Sequence, residues 1–319
     1  MRRREALGRI FGAATLPLIG ASCNFDRLLQ PDFAAADAGF ATLIGAGDLH
    51  ATNVALLPRR RTAALVKKVL DADPAAMAFM VGDLTHNGTR AELDQWYAQT
   101  WGLFKSRTFF TIGNHDVDYA TPRGAGYYGY TGAPGYQATT LGSWRLYSLN
   151  CFPATRGGVD QTAQLAWLKA DLAANPGKQI AAFFHYPMFS SVCEYHTALH
   201  DGVRQDMTWK GRIGPWWKLL QAAGCSFAVS GHAHRYERLR PMLADGTVSD
   251  AGIRQYVCGT AGVKLRNIVP PPHPASEKII VAHGVVRFDL YPDRYEWTFT
   301  DEFGVVSDQG AQACRKVLA

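Results

Sequence analysis

The chain has 319 residues, 47% hydrophobic and 19% charged, an ordinary globular composition with ample apolar material for a core. Its formal net charge is +6, but Arg2, Arg3, Arg4 and Arg9 against Glu5 account for +3 of that at the very start of the chain. The remainder is mildly basic and holds no long basic run, which argues against a nucleic-acid partner.

Arg3-Arg4-Glu5-Ala6-Leu7 is similar to a twin-arginine export pattern, and an apolar segment from Ile10 to Gly20 and small residues up to Cys23 follow it. These residues predict an export signal over 1–23 and an extracytoplasmic (periplasmic or secreted) destination. The apolar run falls short of the about 20 residues that a membrane-spanning helix needs. Gly20-Ala21-Ser22-Cys23 loosely resembles a lipobox, with Gly where Leu is usual, so Cys23 is a candidate for a lipid anchor. Residues 24–40 read as a linker. Residues 41–319 read as one domain, with no internal linker and no repeat of fixed period. The cysteines at 23, 151, 193, 225, 258 and 314 include no Cys-x-x-Cys spacing, so a zinc ribbon is not indicated. Cys225 and Cys258 fall in apolar, strand-like runs and read as buried thiols. Nothing in the sequence indicates a disulfide pairing or an oligomeric state.

From residue 41 strands and helices alternate. Thr42 to Ile44 is a buried strand, and Arg61 to Leu70 is a helix with Leu65, Val66, Val69 and Leu70 on one face. Met77 to Val81 is a second strand. Glu92 to Phe104 is expected to be one helix whose stripe of Leu93, Trp96, Tyr97, Trp101 and Phe104 packs into the core. Thr108 to Ile112 is a third strand and Trp144 to Leu149 another. Gln161 to Ala174 is an amphipathic helix stopped by Asn175-Pro176-Gly177. Ile180 to Phe184 and Ser226 to Val229 are buried strands separated by a helix near Trp216 to Ala222. Gln255 to Val257, Val285 to Leu290 and Tyr295 to Thr300 close the chain as strands, the last two joined at Pro292-Asp293. A first part reading βαβαβ and a last part reading as consecutive strands predict two mixed sheets packed together with helices outside.

Five segments carry the chemistry: Asp48-Leu49-His50, Gly82-Asp83, Gly113-Asn114-His115-Asp116, His185 and Gly231-His232-Ala233-His234. Each follows an apolar run, which places it at the C-terminal end of a buried strand, where open α/β sheets form their sites. Imidazole with carboxylate oxygen, and no thiolate nearby, suits Zn, Mn or Fe. Two divalent cations bring +4, against −3 from Asp48, Asp83 and a bridging hydroxide, leaving a centre of about +1 that attracts a phosphate oxyanion.

Gly82-Asp83-Leu84-Thr85-His86-Asn87, Gly113-Asn114-His115-Asp116, His185-Tyr186-Pro187 and Ser230-Gly231-His232-Ala233-His234 resemble the motifs of the calcineurin-like metallophosphoesterases, in the branch that includes the purple acid phosphatases. The likeness runs from about Gly47 to the end of the chain. It implies an α/β fold, a four-layer α/β/β/α sandwich of two mixed β-sheets flanked by helices. It also implies roles: Asp48, His50 and His234 on one metal, Asn114, His185 and His232 on the other, and Asp83 bridging. His115 would be the general acid, with Asp116 orienting its ring. The implied reaction is hydrolysis of a small phosphate ester by in-line attack of a metal-activated hydroxide, His115 protonating the leaving oxygen. The purple enzymes carry a Tyr three residues after the bridging Asp and lack a second ligand His in the first motif. Here His86 and His50 occupy those places, so a centre without tyrosinate colour is expected.

An exported phosphomonoesterase is the leading expectation. A phosphodiesterase of the cyclic-nucleotide or glycerophosphodiester type shares these metals, and a metal-binding envelope protein without catalysis is the reading from another class. Every ligand position and His115 are filled, which disfavours the last. His196 is a candidate substrate contact in the loop after His185, with His86 and His200 weaker ones; His273 and His283 read as ordinary. Tyr119, Tyr127, Tyr128, Tyr130 and Tyr136 form either a packed surface loop or a cap over the metals, and Arg123 and Arg235 are candidate phosphate contacts.

Overall fold

The computed structural model describes residues 39–52, 56–119, 121–191, 208–267 and 271–315. The chain divides into two units, 1–33 and 34–319, and all described residues belong to the second. The expected export signal with Cys23, most of the linker, Cys193, His196 and His200 lie outside the described residues.

The chain opens with β1 (Ala41–Ala46), α1 (Leu56–Ala72), β2 (Met77–Val81) and a short α2 (Arg90–Glu92), then reaches β3 (Thr108–Thr111) through irregular helical turns. Two short helices, α3 (Asn114–Asp118) and α4 (Ala125–Thr131), lead to the hairpin of β4 (Gln137–Leu141) and β5 (Trp144–Ser148). Next come α5 (Gln161–Ala174), β6 (Gln179–Phe183), α6 (Thr208–Ala222), β7 (Phe227–Ser230) and β8 (Tyr236–Leu239). The chain ends in β9 (Arg254–Cys258), β10 (Ser276–Ile280), β11 (Gly284–Leu290), β12 (Arg294–Asp301) and β13 (Val306–Ala313). One sheet runs β13-β12-β11-β1-β2-β3 and the other β10-β8-β9-β7-β6-β5-β4. Pairing is parallel along β1-β2-β3 and along β5-β6-β7-β9, and antiparallel elsewhere, so both sheets are mixed as expected.

The two sheets share one core. Leu43, Phe79, Val81, Phe109 and Phe288 from the first meet Trp144, Leu146, Phe183, Phe227, Val229 and Tyr256 from the second, all buried. Phe227 stacks on Phe288 at 4.6 Å between ring centroids, and Phe79 meets Phe183 at 5.3 Å. The parallel strands are buried along nearly their whole length, which is why they read as continuous apolar runs.

Backbone bonds continue past the strand ends and tie the loops together. Asp48 N–H donates to Gly82 O at 3.0 Å, His50 N–H to Asp83 O at 3.0 Å, and Gly231 N–H to His185 O at 3.0 Å. Gly47 N–H donates to Cys258 O at 2.7 Å, joining the end of β1 to the end of β9 across the two sheets. The motif loops are therefore extensions of the ladders, held at one edge of the molecule.

The single helix expected from Glu92 to Phe104 is not formed. Thr89 and Glu92 make a reciprocal capping box, a π-helical turn spans Leu93–Tyr97, and a 3₁₀ segment spans Trp101–Arg107. Thr100 causes the break: its hydroxyl lies 3.3 and 3.2 Å from the carbonyls of Trp96 and Tyr97, competing with the helical ladder. The bend buries four of the five stripe residues, Leu93, Tyr97, Trp101 and Phe104, with Trp101 Nε1–H donating to Thr62 Oγ1, and leaves Trp96 half-buried.

Candidate metal centre

The loops after β1, β2, β3, β6 and β7 converge, and their backbone conformation is unusual. Among the described residues, the non-glycine residues with positive φ are Asp48 (60°), His50 (46°), Asp83 (57°), His232 (67°) and His234 (50°). An L-residue in this region costs about 1–3 kcal/mol, and such strain clusters where side-chain direction matters more than local stability. Two glycines make room for the carboxylates. A Cβ at Gly113 would lie 2.1 Å from Asp83 Oδ1, and one at Gly231 would lie 2.3 Å from Asp48 Oδ2.

Two groups of donor atoms result. Asp48, His50 and His234 form one and Asp83, His185 and His232 the other, with the ligand atoms of each group within 4.8 Å of one another. Asp83 stands between them: its Oδ2 lies 3.2 Å from His50 Nε2 and 3.4 Å from His185 Nε2. Asn114 Oδ1 closes the second group, 3.0 Å from His185 Nε2 and 3.1 Å from His232 Nδ1. The far side of two rings is fixed by the backbone: His185 Nδ1 donates to Val81 O at 2.8 Å and His234 Nδ1 to Lys264 O at 3.1 Å, which aims both Nε2 atoms at the centre. Asp48 Oδ2 accepts the His232 N–H at 2.7 Å, while Oδ1 is buried, makes no hydrogen bond and lies 3.4 Å from His234 Nε2. A buried carboxylate oxygen without a donor is costly unless a cation satisfies it. The donor set therefore fits two divalent ions sharing Asp83.

The protonation tendencies agree. Burial lowers His50 to about 4 and holds His232 and His234 well below their ordinary value, so all three keep the lone pair a ligand needs. Burial raises Asp48 to about 7, which reflects a carboxylate in need of positive charge. Burial would lower His185, but the adjacent Asp83, with Asp48, carries it up to about 9. Asp83 itself is pushed up by burial, yet His185 and His115 together hold it well below the usual carboxylate range.

His115 stands at the mouth of this centre, partly exposed. Its backbone N–H donates to Asp83 Oδ1 at 2.8 Å, and its Nδ1 meets the carbonyl oxygen of His86 at 2.6 Å. The expectation that Asp116 orients the His115 ring is corrected here. The Asp116 carboxylate is buried and accepts the N–H groups of Asp83 and Gly113 at 2.8 Å each and of Leu84 at 3.0 Å. Its oxygens are taken up by the backbone of the two ligand loops, so it shapes those loops and leaves the ring to the His86 carbonyl.

The sequence model of the calcineurin-like phosphoesterases matches residues 41–236. The chain belongs to the calcineurin-like phosphoesterase family. Comparison with curated proteins gives no match. Among solved structures, the fold is similar to a purple acid phosphatase, PPD1, from yellow lupin (Lupinus luteus) seeds, at TM-score 0.67 and 16% identity, covering 86% of this chain and 54% of that one. The chain thus spans about half the length of the lupin protein. It is also similar to GAP50, the anchor in the inner membrane complex of Plasmodium, at TM-score 0.59 and 13% identity over 87% of this chain and 90% of that one. PhoD matches at TM-score 0.57 and 11% identity, over 87% of this chain and 69% of that one. At these identities the likeness is one of fold, and it agrees with the expected sandwich.

Tyr127 and Tyr130 are buried in α4, Tyr128 donates to Gly157 O, and Tyr136 packs on Trp167, so these four belong to a packed loop. Tyr119 alone of the five is strongly exposed, and its ring lies on that of His115. Arg235 is buried with Nη2 on the Asn267 carbonyl, while Arg123 lies at the surface near Gly157. His86, ranked low in the sequence, is drawn into a triplet with His50 and His115, its Nδ1 3.4 Å from His50 Nδ1. The signal for it was present: it follows the bridging carboxylate by three residues on the same loop.

Proposed function

We propose that the chain is an exported phosphomonoesterase acting on small organic phosphates with two metal ions per chain, drawn from Fe, Mn and Zn. The observation that carries this reading is the convergence of six ligand-type side chains on Asp83, with the donorless Asp48 Oδ1 inside and His115 at the mouth. Asp48, His50 and His234 would hold one ion, Asn114, His185 and His232 the other, and Asp83 both. When bound, the ions would supply a hydroxide near neutral pH and clamp the phosphoryl oxygens. The chain supplies the rest. The His86 carbonyl occupies Nδ1 of His115, which leaves Nε2 to pass a proton to the leaving oxygen. The His115 N–H to Asp83 bond keeps this acid at a fixed distance from the bridging carboxylate. Export rests on the pattern in residues 1–23, and Cys23 would be the point of lipid attachment.

A phosphodiesterase is the second reading, favoured by the presence of both Asp48 and His50 in the first loop. A non-catalytic role is raised by the likeness to GAP50, the anchor in the inner membrane complex of Plasmodium. Against it stand the complete ligand set and His115. The test is to load the purified chain with Mn, Zn or Fe and compare p-nitrophenyl phosphate with bis(p-nitrophenyl) phosphate. Faster turnover of the monoester is expected. Faster turnover of the diester would favour the second reading, and hydrolysis of neither with any metal would overturn catalysis.

A further inference from the structure

With the Asp116 carboxylate committed to backbone N–H groups, something else must hold the ring of the acid. One bond, from Nδ1 to the His86 carbonyl, fixes the tautomer but lets the ring tilt about the Nδ1–oxygen axis. Tyr119 removes that freedom. It stands four residues after His115, at the C-terminal end of α3, and residues so spaced share a helix face. The two rings are stacked, with centroids 4.6 Å apart and planes 23° apart. On another side the His50 ring lies 4.1 Å from His115 at 57°. The base of α3 is itself anchored by Asp116, which accepts from Gly113 at the start of the helix and from the Asp83 loop. Tyr119 is 51% exposed, so burial of its own ring does not explain its place.

We propose that Tyr119 is a positioning residue: its ring, together with the His86 carbonyl, sets the plane of His115 so that Nε2 faces the leaving oxygen. This rests on the phosphoesterase reading above. An aromatic stack of this kind is worth roughly a tenfold effect, and it acts only where the acid is needed. A nitrophenolate leaves without help from a proton, whereas an alkoxide needs one.

The experiment compares the metal-loaded full chain with its Tyr119→Ala and Tyr119→Phe variants on p-nitrophenyl phosphate and on glycerol 2-phosphate. Tyr119→Ala is expected to lower kcat on the glycerol ester about tenfold, to change the nitrophenyl ester much less and to leave KM nearly unchanged, while Tyr119→Phe restores the rate. An equal loss on both esters, a change in KM alone or no loss at all would overturn the proposal. A second arm needs no turnover. In the zinc-loaded chain with labelled histidine, the His115 ring-proton signal, assigned with His115→Asn, should carry a ring-current shift that Tyr119→Ala abolishes and Tyr119→Phe keeps. If the unsubstituted chain cleaves neither ester, the proposed function fails, and this signal alone decides the positioning: one that Tyr119→Ala leaves unmoved overturns it.

Discussion

Gly231 shows how little room the ligand residues have. A methyl group there would stand 2.3 Å from Asp48 Oδ2, the oxygen that accepts the His232 N–H. Gly231→Ala should therefore move a ligand carboxylate and weaken metal binding by about 10–100-fold, read by metal titration; unchanged affinity would show that Asp48 is not a ligand. The buried charges give a second expectation. Asp48 is raised to about 7 and Asp116 to about 8 by burial, and His185 to about 9, where Asp83 outweighs burial. Each holds in the fold a proton that the unfolded chain has already released, so its stabilising contribution is lost as pH rises through the folded value. His50, His232 and His234 are lowered, so well above their ordinary value of 6.5 they are neutral in both states and add no slope. Chelator-treated protein should thus lose stability from pH 6.5 to about 9. Metal, which takes the place of the protons on Asp48 and His185, should raise the melting temperature more at the alkaline end. A metal-induced rise that is flat or shrinks over this range, followed by scanning fluorimetry, would contradict this.

At the scale of elements, α5 is set by its ends. Asp160 accepts the N–H groups of Thr162 and Ala163, and Asn175-Pro176-Gly177 ends the helix. Asp160→Ala should cost about 1 kcal/mol in denaturant unfolding, with catalysis unaffected, since α5 supplies no site residue; a neutral result would show that the cap is not stabilising. Such punctuation made α5 readable from the sequence with the bounds it has, and the apolar runs did the same for β2 and came within one residue of the bounds of β6, β7 and β11. The strands that were not readable lack that signal. β13, Val-Ser-Asp-Gln-Gly-Ala-Gln-Ala, is a polar edge strand held by Asp308, which accepts from Tyr236, Arg238 and Trp297. β8 carries the buried Glu237, whose partners Ser190 and Ser191 are distant in sequence. α6 begins before its expected start because Gly211, Gly214 and Pro215 disguise its first turns.

For the whole molecule, the convergence of the candidate ligand residues was readable because each motif follows a buried strand, and the ends of parallel strands meet at one edge. The hydrogen-bond partners of His115 were not readable. Whether a carboxylate next to His115 in sequence touches its ring or the backbone behind it depends on the path of three loops, and here Asp116 takes the backbone. Loops from two sheets meet in one centre around Asp83, and metal content per chain, measured by mass spectrometry on the purified protein and on Asp83→Asn, decides whether that centre holds two ions. Two ions per chain are expected in the unsubstituted protein, with weakened retention of both in the variant. One ion or none in the first, or two retained with unaltered affinity in the second, would overturn the dinuclear centre.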